Sequence, residues 1–387
     1  MKVLHVITGL GAGGAEQQLR LLVRHLPGPH DVVTLTNPGQ VAEGLRGDGV
    51  RVAHLGMAGN RDARAVPRLA RLIRGGRYDV VHTHLYRACL YGRIAARMAG
   101  VRAVVATEHS LGDAQIEGRP LTRGVRALYL AGEKLGRTTI AVSPAVADRL
   151  RLWGVAPHRV AVVPNGVDVP RFAFDPAARA ATRLALGLPP GAFVVGGVGR
   201  LVAGKRFDVL VAALRDLPDD VRLLLVGTGP EEEALRRAAR ESGVLDRVVF
   251  AGERPHTAPG PAGATVDLPA LMSAMDVLAA PSVDEAFGLA VVEAQASGLP
   301  VLYVTCPAVD DLPAGTRARA VRVPCDAASF VREIRREIRA AHSSREESGG
   351  PRTPSEAALH YSIARSAALH EDVYATAMGA PTSGMST

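Results

Sequence analysis

The chain has 387 residues, a formal net charge of +8, 47% hydrophobic residues and 4% aromatic ones. That length exceeds one ordinary core and suits two domains of roughly 150–200 residues each, and the apolar content excludes a disordered chain. The basic balance favours anionic ligands, whereas scarce aromatics, never interleaved with Arg/Lys blocks, argue against a nucleic-acid partner.

The first predicted element is the strand "KVLHVIT" (2–8). With one lysine and a short β-like run, it reads as a strand rather than a signal peptide. The loop "GLGAGGAE" follows, and Gly9, Gly11 and Gly14 fit G-x-G-x-x-G ahead of a helix-like segment. That spacing is the dinucleotide fingerprint, but a dinucleotide unit needs an acid at the end of its second strand. The second strand, "DVVTLT" (31–36), ends in Asn37-Pro38-Gly39. The spacing therefore predicts backbone approach to a phosphate-bearing ligand, with Gly13 and Gly14 as the contacts, and not NAD.

Strands follow at 51–55, 79–84, 102–107 and 138–143. Several are apolar throughout, as expected for strands buried on both faces of a parallel sheet. His82 and His84 in "DVVHTH" would share one strand face, but no third ligand is evident, so no metal is expected. "VPRLARLIRGG" can place Arg68, Arg71 and Arg74 on one helix face. A membrane-surface contact is the alternative reading of that face; a solvated face is the plainer one. No run approaches the ~18 uncharged apolar residues of a spanning helix. Cys89, Cys306 and Cys325 give neither metal spacing nor a disulfide framework, so a reducing cytoplasm is the expected compartment.

A boundary is expected near "PNGVDVPRF" (164–172), where Asn165-Gly166 signals a turn and Pro170 interrupts regular structure. Strand-like runs then resume at 193–199, 221–227, 247–252, 276–282, 300–305 and 319–324. Alternation with helices predicts an α/β fold with a second doubly wound domain. "GVGRLVAGKRFD" places Arg200 and Lys205 just after a strand's carboxyl end. Lys205 is one of only three lysines beside 43 arginines. A compact ammonium next to a guanidinium suits a phosphate clamp. In "PSVDEAFGLAVVEAQASGLPV", a helix over 287–297 would set Glu285 at its positive end and Glu293 more than a turn inside. Eight helical residues span about 12 Å, comparable to the reach from a sugar across a diphosphate to a nucleoside. The segments 254–265 and 343–356 read as loops, and 357–378 as a final amphipathic helix.

The pair Glu285/Glu293 in "EAFGLAVVE", with "GRLVAGK", "PNGVD", "LLLVGTGP" and "DVVHTH", resembles the retaining glycosyltransferases of family 4, which have the GT-B fold. The resemblance implies residues 1–165 as an acceptor-binding Rossmann-like domain and 166–355 as a nucleotide-sugar domain. It implies 356–380 as a final helix crossing back to the first. It further implies that Arg200 and Lys205 neutralise the donor diphosphate and that Glu285 contacts sugar hydroxyls. The backbone of Ala286, Phe287, Gly288 and Leu289 would line the sugar, and Glu293 would hold ribose. Arg254 would lie near the base, and His109 in "VVATEHS" matches the family's active-site histidine, catalytic here with Glu285. No metal or other cofactor is implied. The chemistry is departure of a diphosphate from the anomeric carbon with retention, aided by preorganised cations and helix dipoles.

After "GLPV" the family commonly continues with a Gly-Gly loop, where this chain has "LYVTCPAVDDLP". UDP is the expected nucleotide, with GDP second. For the acceptor, a small molecule, Glu16, Asp113 and Glu117 are the candidate acids, suited to a polyamine-like compound. "MKVLHVITGLGAGGAEQQL" and "ATEHSLGD" are similar to glycosyltransferases of aminoglycoside antibiotic biosynthesis. Those of the kanosamine-transferring type act on a 2-deoxystreptamine pseudodisaccharide. The alternatives are a cell-envelope enzyme at a membrane surface and a non-catalytic nucleotide-sugar binder.

Overall fold

The computed structural model describes residues 1–11, 13–59, 62–112, 115–116, 119–254, 266–346 and 352–379. The chain divides into two compact units, Met1–Gly166 with Ile363–Thr387, and Val167–Ser362.

The first unit is built on seven parallel strands: β1 (Val3–Ile7), β2 (His30–Thr34), β3 (Arg51–His54), β4 (Val80–His84), β5 (Ala103–Glu108), β8 (Thr138–Ala141) and β9 (Val160–Val162). Between β5 and β8, β6 (Gln115–Ile116) and β7 (Arg119–Pro120) form a separate antiparallel pair. The sheet order is β3-β2-β1-β4-β5-β8-β9. β1, β4 and β5 are buried at every position, their histidines included, as expected for strands covered on both faces of a parallel sheet. On one face Leu4, Val6, Val81 and Val104 pack against Leu69 and Ile73. On the other, Val3, Val80 and Val105 meet Leu22, Leu26 and Tyr374.

The second unit repeats the pattern with β10 (Phe193–Val198), β11 (Val221–Val226), β12 (Val248–Gly252), β13 (Val277–Ala280), β14 (Val301–Tyr303) and β15 (Ala320–Arg322). Their order is β12-β11-β10-β13-β14-β15. One face of this sheet buries Val195, Leu223, Leu225 and Val277 against Leu210, Leu214, Phe330 and Ile334. Helix Pro176–Ala185 is fastened by Asp276, whose carboxylate accepts from Arg179 and Arg183 at 2.6 Å each and from the Val194 N–H at 2.8 Å. Each sheet reverses its strand order beside its first strand, β1 between β2 and β4, and β10 between β11 and β13. In open parallel sheets, ligands bind outside the carboxyl ends of the strands at that reversal.

Three local expectations change. The strand β9 was not anticipated; it is three residues long and half-buried at a sheet edge, so its apolar signal is short. The helix expected over 287–297 runs from Leu289 to Ala296, because Gly288 takes φ 100° and a helix cannot continue through it. The final helix is two helices, Glu356–His360 and Ile363–Met378, interrupted at Tyr361-Ser362. The interruption has a backbone cause: the Val167 N–H donates to the Tyr361 carbonyl at 2.8 Å, and Val167 pairs in parallel with Ser362. Helix Glu356–His360 packs on Leu289–Ala296 in the second unit, and Ile363–Met378 packs on Gly14–His25, β4 and β5 in the first. No described helix is long and apolar enough to cross a membrane.

Candidate active site

In the second unit the expected donor residues gather at the strand reversal. Gly199 follows β10 with φ 145°, and exposed Arg200 comes next. A 3-10 turn, Ala203–Lys205, then carries the lysine. The turn's Gly204 carbonyl accepts from the Val283 N–H at 3.3 Å, tying it to the loop after β13. Glu285 stands in that loop, and its Oε1 accepts a short hydrogen bond from the Lys205 ammonium. The two groups assigned from sequence to phosphate and to sugar hydroxyls therefore touch, one from β10's exit and one from β13's.

The motif "GTGP" has a steric reason. A Cβ on Gly227 would stand 2.0 Å from the Gly199 carbonyl oxygen, and one on Gly229 would stand 2.2 Å from that of Leu201. Only glycines let the β11 exit lie directly on the Arg200 loop. Hydrogen bonds from the Leu201 N–H to the Thr228 carbonyl and from the Glu231 N–H to the Leu201 carbonyl, each 2.9 Å, hold the two together.

Beyond Glu285, the backbone is pinned before the helix begins. Phe287 is 4% exposed and stacks edge-on against Tyr361 at 5.1 Å. Its carbonyl accepts from the Ala308 N–H at 2.9 Å. A Cβ on Gly288 would meet the Cys306 sulfur at 2.4 Å, so this corner requires glycine on both conformational and steric grounds. Glu285 thus lies in a loop and not on the helix as the 12 Å argument assumed. Glu293 does lie in the helix and is 4% exposed, not the solvated glutamate that spacing alone equally allowed. A carboxylate is rarely buried so fully without a purpose. Arg254, half-buried past β12, donates from Nε to the Ala251 carbonyl at 2.8 Å.

In the first unit, Gly13 is the N-cap of helix Gly14–His25 and offers no side chain to the first turn. Glu16 folds back there: a Cβ on Gly13 would lie 2.5 Å from its Oε2. A carboxylate at this helix start is the arrangement its dipole favours, and any phosphate approaching Gly13 and Gly14 must displace it. Asp113 and Glu117 lie outside the described residues. The arginine face also resolves. Arg68 donates to the Leu55 carbonyl, Arg71 to that of Pro67 at 3.4 Å and Arg74 to that of Met98 at 2.7 Å, so all three guanidiniums bond within their own unit.

His109 follows β5, half-buried, and its Nε2 lies 3.2 Å from His84 Nδ1. Around it the fold assembles histidines that sequence reasoning left apart. The β1–β4 register sets His5 opposite His82, supplying the third imidazole that H-T-H lacked. Ligand nitrogens of His5, His82 and His84 lie within 4.8 Å of one another. All six ring nitrogens of the three are already in hydrogen bonds, those of His82 to Tyr374 and Thr107 at 2.7 Å each. The set is therefore a hydrogen-bonded polar core, and a metal would have to displace bonds on each ring. Burial pushes His5, His82 and His84 well below the ordinary imidazole value, with neighbouring histidines adding to the effect. Burial and His370 lower His109, and burial holds His370 at about 4. A cavity on the order of 10 Å³, about one water, is lined by Gln18, His84, Thr107, His109, Asn165 and His370 among others. Leu85, directly after His84, holds φ 72°, a strained value of the kind that clusters at functional sites.

Residues 12–171 match Glycosyltransferase Family 4, and residues 192–339 match Glycosyl transferases group 1. D-inositol 3-phosphate glycosyltransferases of Mycobacterium bovis and Mycobacterium tuberculosis are 35% identical over 256 residues, 62% of this chain and 49% of theirs. The chain therefore spans about half the length of these curated relatives. They are named for inositol phosphate, in contrast to the aminoglycoside branch that the N-terminal motifs resemble. Among solved structures, Anabaena HepE in complex with UDP and glucose has a TM-score of 0.81 at 21% identity, over 97% of this chain and 100% of that one. Sucrose-phosphate synthase from Thermosynechococcus elongatus has a TM-score of 0.72 at 21% identity, over 97% and 99%. Each half of the sequence thus matches a glycosyltransferase family, and the chain has the GT-B fold, with two Rossmann-like α/β units.

Proposed function

We propose that the chain is a retaining hexosyl- or aminohexosyltransferase using a nucleotide-diphosphate sugar, UDP-linked first and GDP-linked second. The observation that carries this reading is the Lys205–Glu285 pair at the β10/β13 reversal, beside Arg200. In the reaction the bond from the anomeric carbon to the diphosphate oxygen breaks, and a bond to the acceptor oxygen forms on the same face. The acceptor's proton passes to the departing diphosphate. Lys205 and Arg200 neutralise the charge that develops there, which stabilises the transition state more than the ground state. Glu285, released from Lys205 as the phosphate takes its place, turns to sugar hydroxyls, with the backbone of Ala286–Leu289 alongside. Glu293 takes the ribose and Arg254 the base. His109 serves the sugar, Gly13 and Gly14 the phosphate, and Glu16 the acceptor.

The acceptor in this reading is a polyhydroxylated cyclohexane. Inositol phosphate, in the names of the relatives, and 2-deoxystreptamine, in the branch that the N-terminal motifs resemble, share that ring. The test incubates purified protein with UDP-glucose, UDP-N-acetylglucosamine or the UDP-linked aminohexose. Each donor is paired with D-inositol 3-phosphate or paromamine, and products are read by mass spectrometry. A hexosylated cyclitol from one acceptor is expected. Unconsumed donor in every pairing would overturn the reading.

A further inference from the structure

Four imidazoles lie in one unbroken line through the first unit. His30 Nε2 is 3.2 Å from the Pro27 carbonyl oxygen, and His30 Nδ1 is 3.1 Å from His5 Nε2. His5 Nδ1 is 3.2 Å from His84 Nε2, and His84 Nδ1 is 3.2 Å from His109 Nε2. The line crosses β2, β1 and β4 and ends at the residue after β5. Such a row has only two hydrogen-bond polarities, because each neutral ring carries one N–H and one bare nitrogen.

We propose that His30, His5 and His84 are positioning residues that fix His109 as its Nε2–H tautomer and leave Nδ1 as a bare acceptor. The inference rests on the assignment of His109 to the sugar. The polarity of the row is set at its far end. A carbonyl only accepts, so His30 Nε2 must carry the proton toward Pro27. His30 Nδ1 is then bare and accepts from His5 Nε2–H. The same step repeats, from His84 Nε2–H to His5 Nδ1, and from His109 Nε2–H to His84 Nδ1. The rings are neutral because burial lowers each of them. One peptide carbonyl at the edge of the unit thereby dictates which face of His109 can donate. The consequence for recognition is definite: His109 Nδ1 takes a hydrogen from a hydroxyl and cannot give one to a carbonyl or a phosphate.

The readout is a long-range proton–nitrogen correlation spectrum of the full chain labelled with ¹⁵N-histidine. Signals are assigned with His109→Gln and His30→Gln. Wild type is expected to show His109, His84, His5 and His30 all as Nε2–H tautomers. His30→Leu removes the anchor, and His109 should become a mixture of tautomers. His30→Gln should restore Nε2–H, since its amide can donate to Pro27 and accept from His5. With UDP-glucose hydrolysis as the probe, His30→Leu should lower kcat about tenfold with little change in KM, the low end of the loss seen when the partner orienting a metal-bound imidazole is removed. His30→Gln should recover most of it. An Nδ1–H tautomer at His109 in wild type would overturn the relay, and so would a His109 tautomer unmoved by His30→Leu. The role of His109 is judged separately. If His109→Ala hydrolyses and transfers like wild type, the assignment of His109 to the sugar falls whatever the spectra show.

Discussion

Lys205→Met is expected to lower kcat with a UDP-sugar donor by about 100- to 1,000-fold, the usual cost of removing one preorganised group aimed at developing negative charge. KM for the donor should rise as well, because an ammonium that touches the diphosphate also binds it in the ground state. The folded state should hardly notice. Lys205 and Glu285 side chains are 26% and 18% exposed, and partly solvated pairs contribute about 0–1 kcal/mol. Glu285→Gln should cost a comparable factor in kcat by weakening the grip on sugar hydroxyls. The two residues touch, so the double variant should lose less than the product of the single losses. The decisive control is the charge swap, Lys205→Glu with Glu285→Lys. A merely structural ion pair would survive it with activity intact. A donor site would not, because the carboxylate would then stand where the diphosphate belongs. Steady-state kinetics beside thermal melts separate these outcomes.

Acid is expected to unfold the first unit before the second. His5, His30, His82, His84, His109 and His370 all have pKa values lowered in the folded state, burial being the largest cause for each. In the unfolded chain they titrate near 6.5. Below that pH the unfolded state therefore binds more protons than the folded one, and stability rises with pH. The stability contributed by keeping these rings neutral is complete above about pH 7. It is lost as pH falls from about 6.5 toward the folded-state values, about 4 for His370. Each strongly shifted histidine contributes up to about 1.4 kcal/mol per pH unit, so the five other than His30 together approach a slope on the order of 7 kcal/mol per pH unit. Against a typical domain stability of about 5–15 kcal/mol, one to two pH units suffice. The only tryptophan, Trp153, lies in this unit, so its fluorescence reports on it selectively. Urea midpoints followed at Trp153 should fall steeply between pH 6.5 and pH 5. A flat midpoint across that range would mean that the histidines are not buried neutral.

Much of this architecture is readable from the sequence, for identifiable reasons. Strands covered on both faces are rich in apolar residues without strict alternation, so β1, β4, β5, β10 and β11 stand out despite the polar residues that some of them carry. β9, at an edge and only half-buried, does not. Lys205 is conspicuous because this chain almost always writes positive charge as arginine, and its partner Glu285 lies in another recognisable motif, "EAFGLAVVE". The point at which helix Leu289–Ala296 begins was not legible. Phe287 and Gly288 suit a helix start by composition, and only the contact with Cys306 and the positive φ of Gly288 place them in the loop. The histidine row was invisible for a different reason. Its members come from β1, β2, β4 and the end of β5, and no sequence spacing relates His5 to His30 or His84 to His109. Strand register alone brings them together.

If the second unit holds a nucleoside diphosphate through Lys205, titration calorimetry of UDP into the full chain reads that contact out. Wild type should bind UDP measurably, and Lys205→Met should bind it at least tenfold more weakly at the same pH and salt. Equal affinity of the two proteins for UDP, or no heat with wild type for either UDP or GDP, would contradict the account.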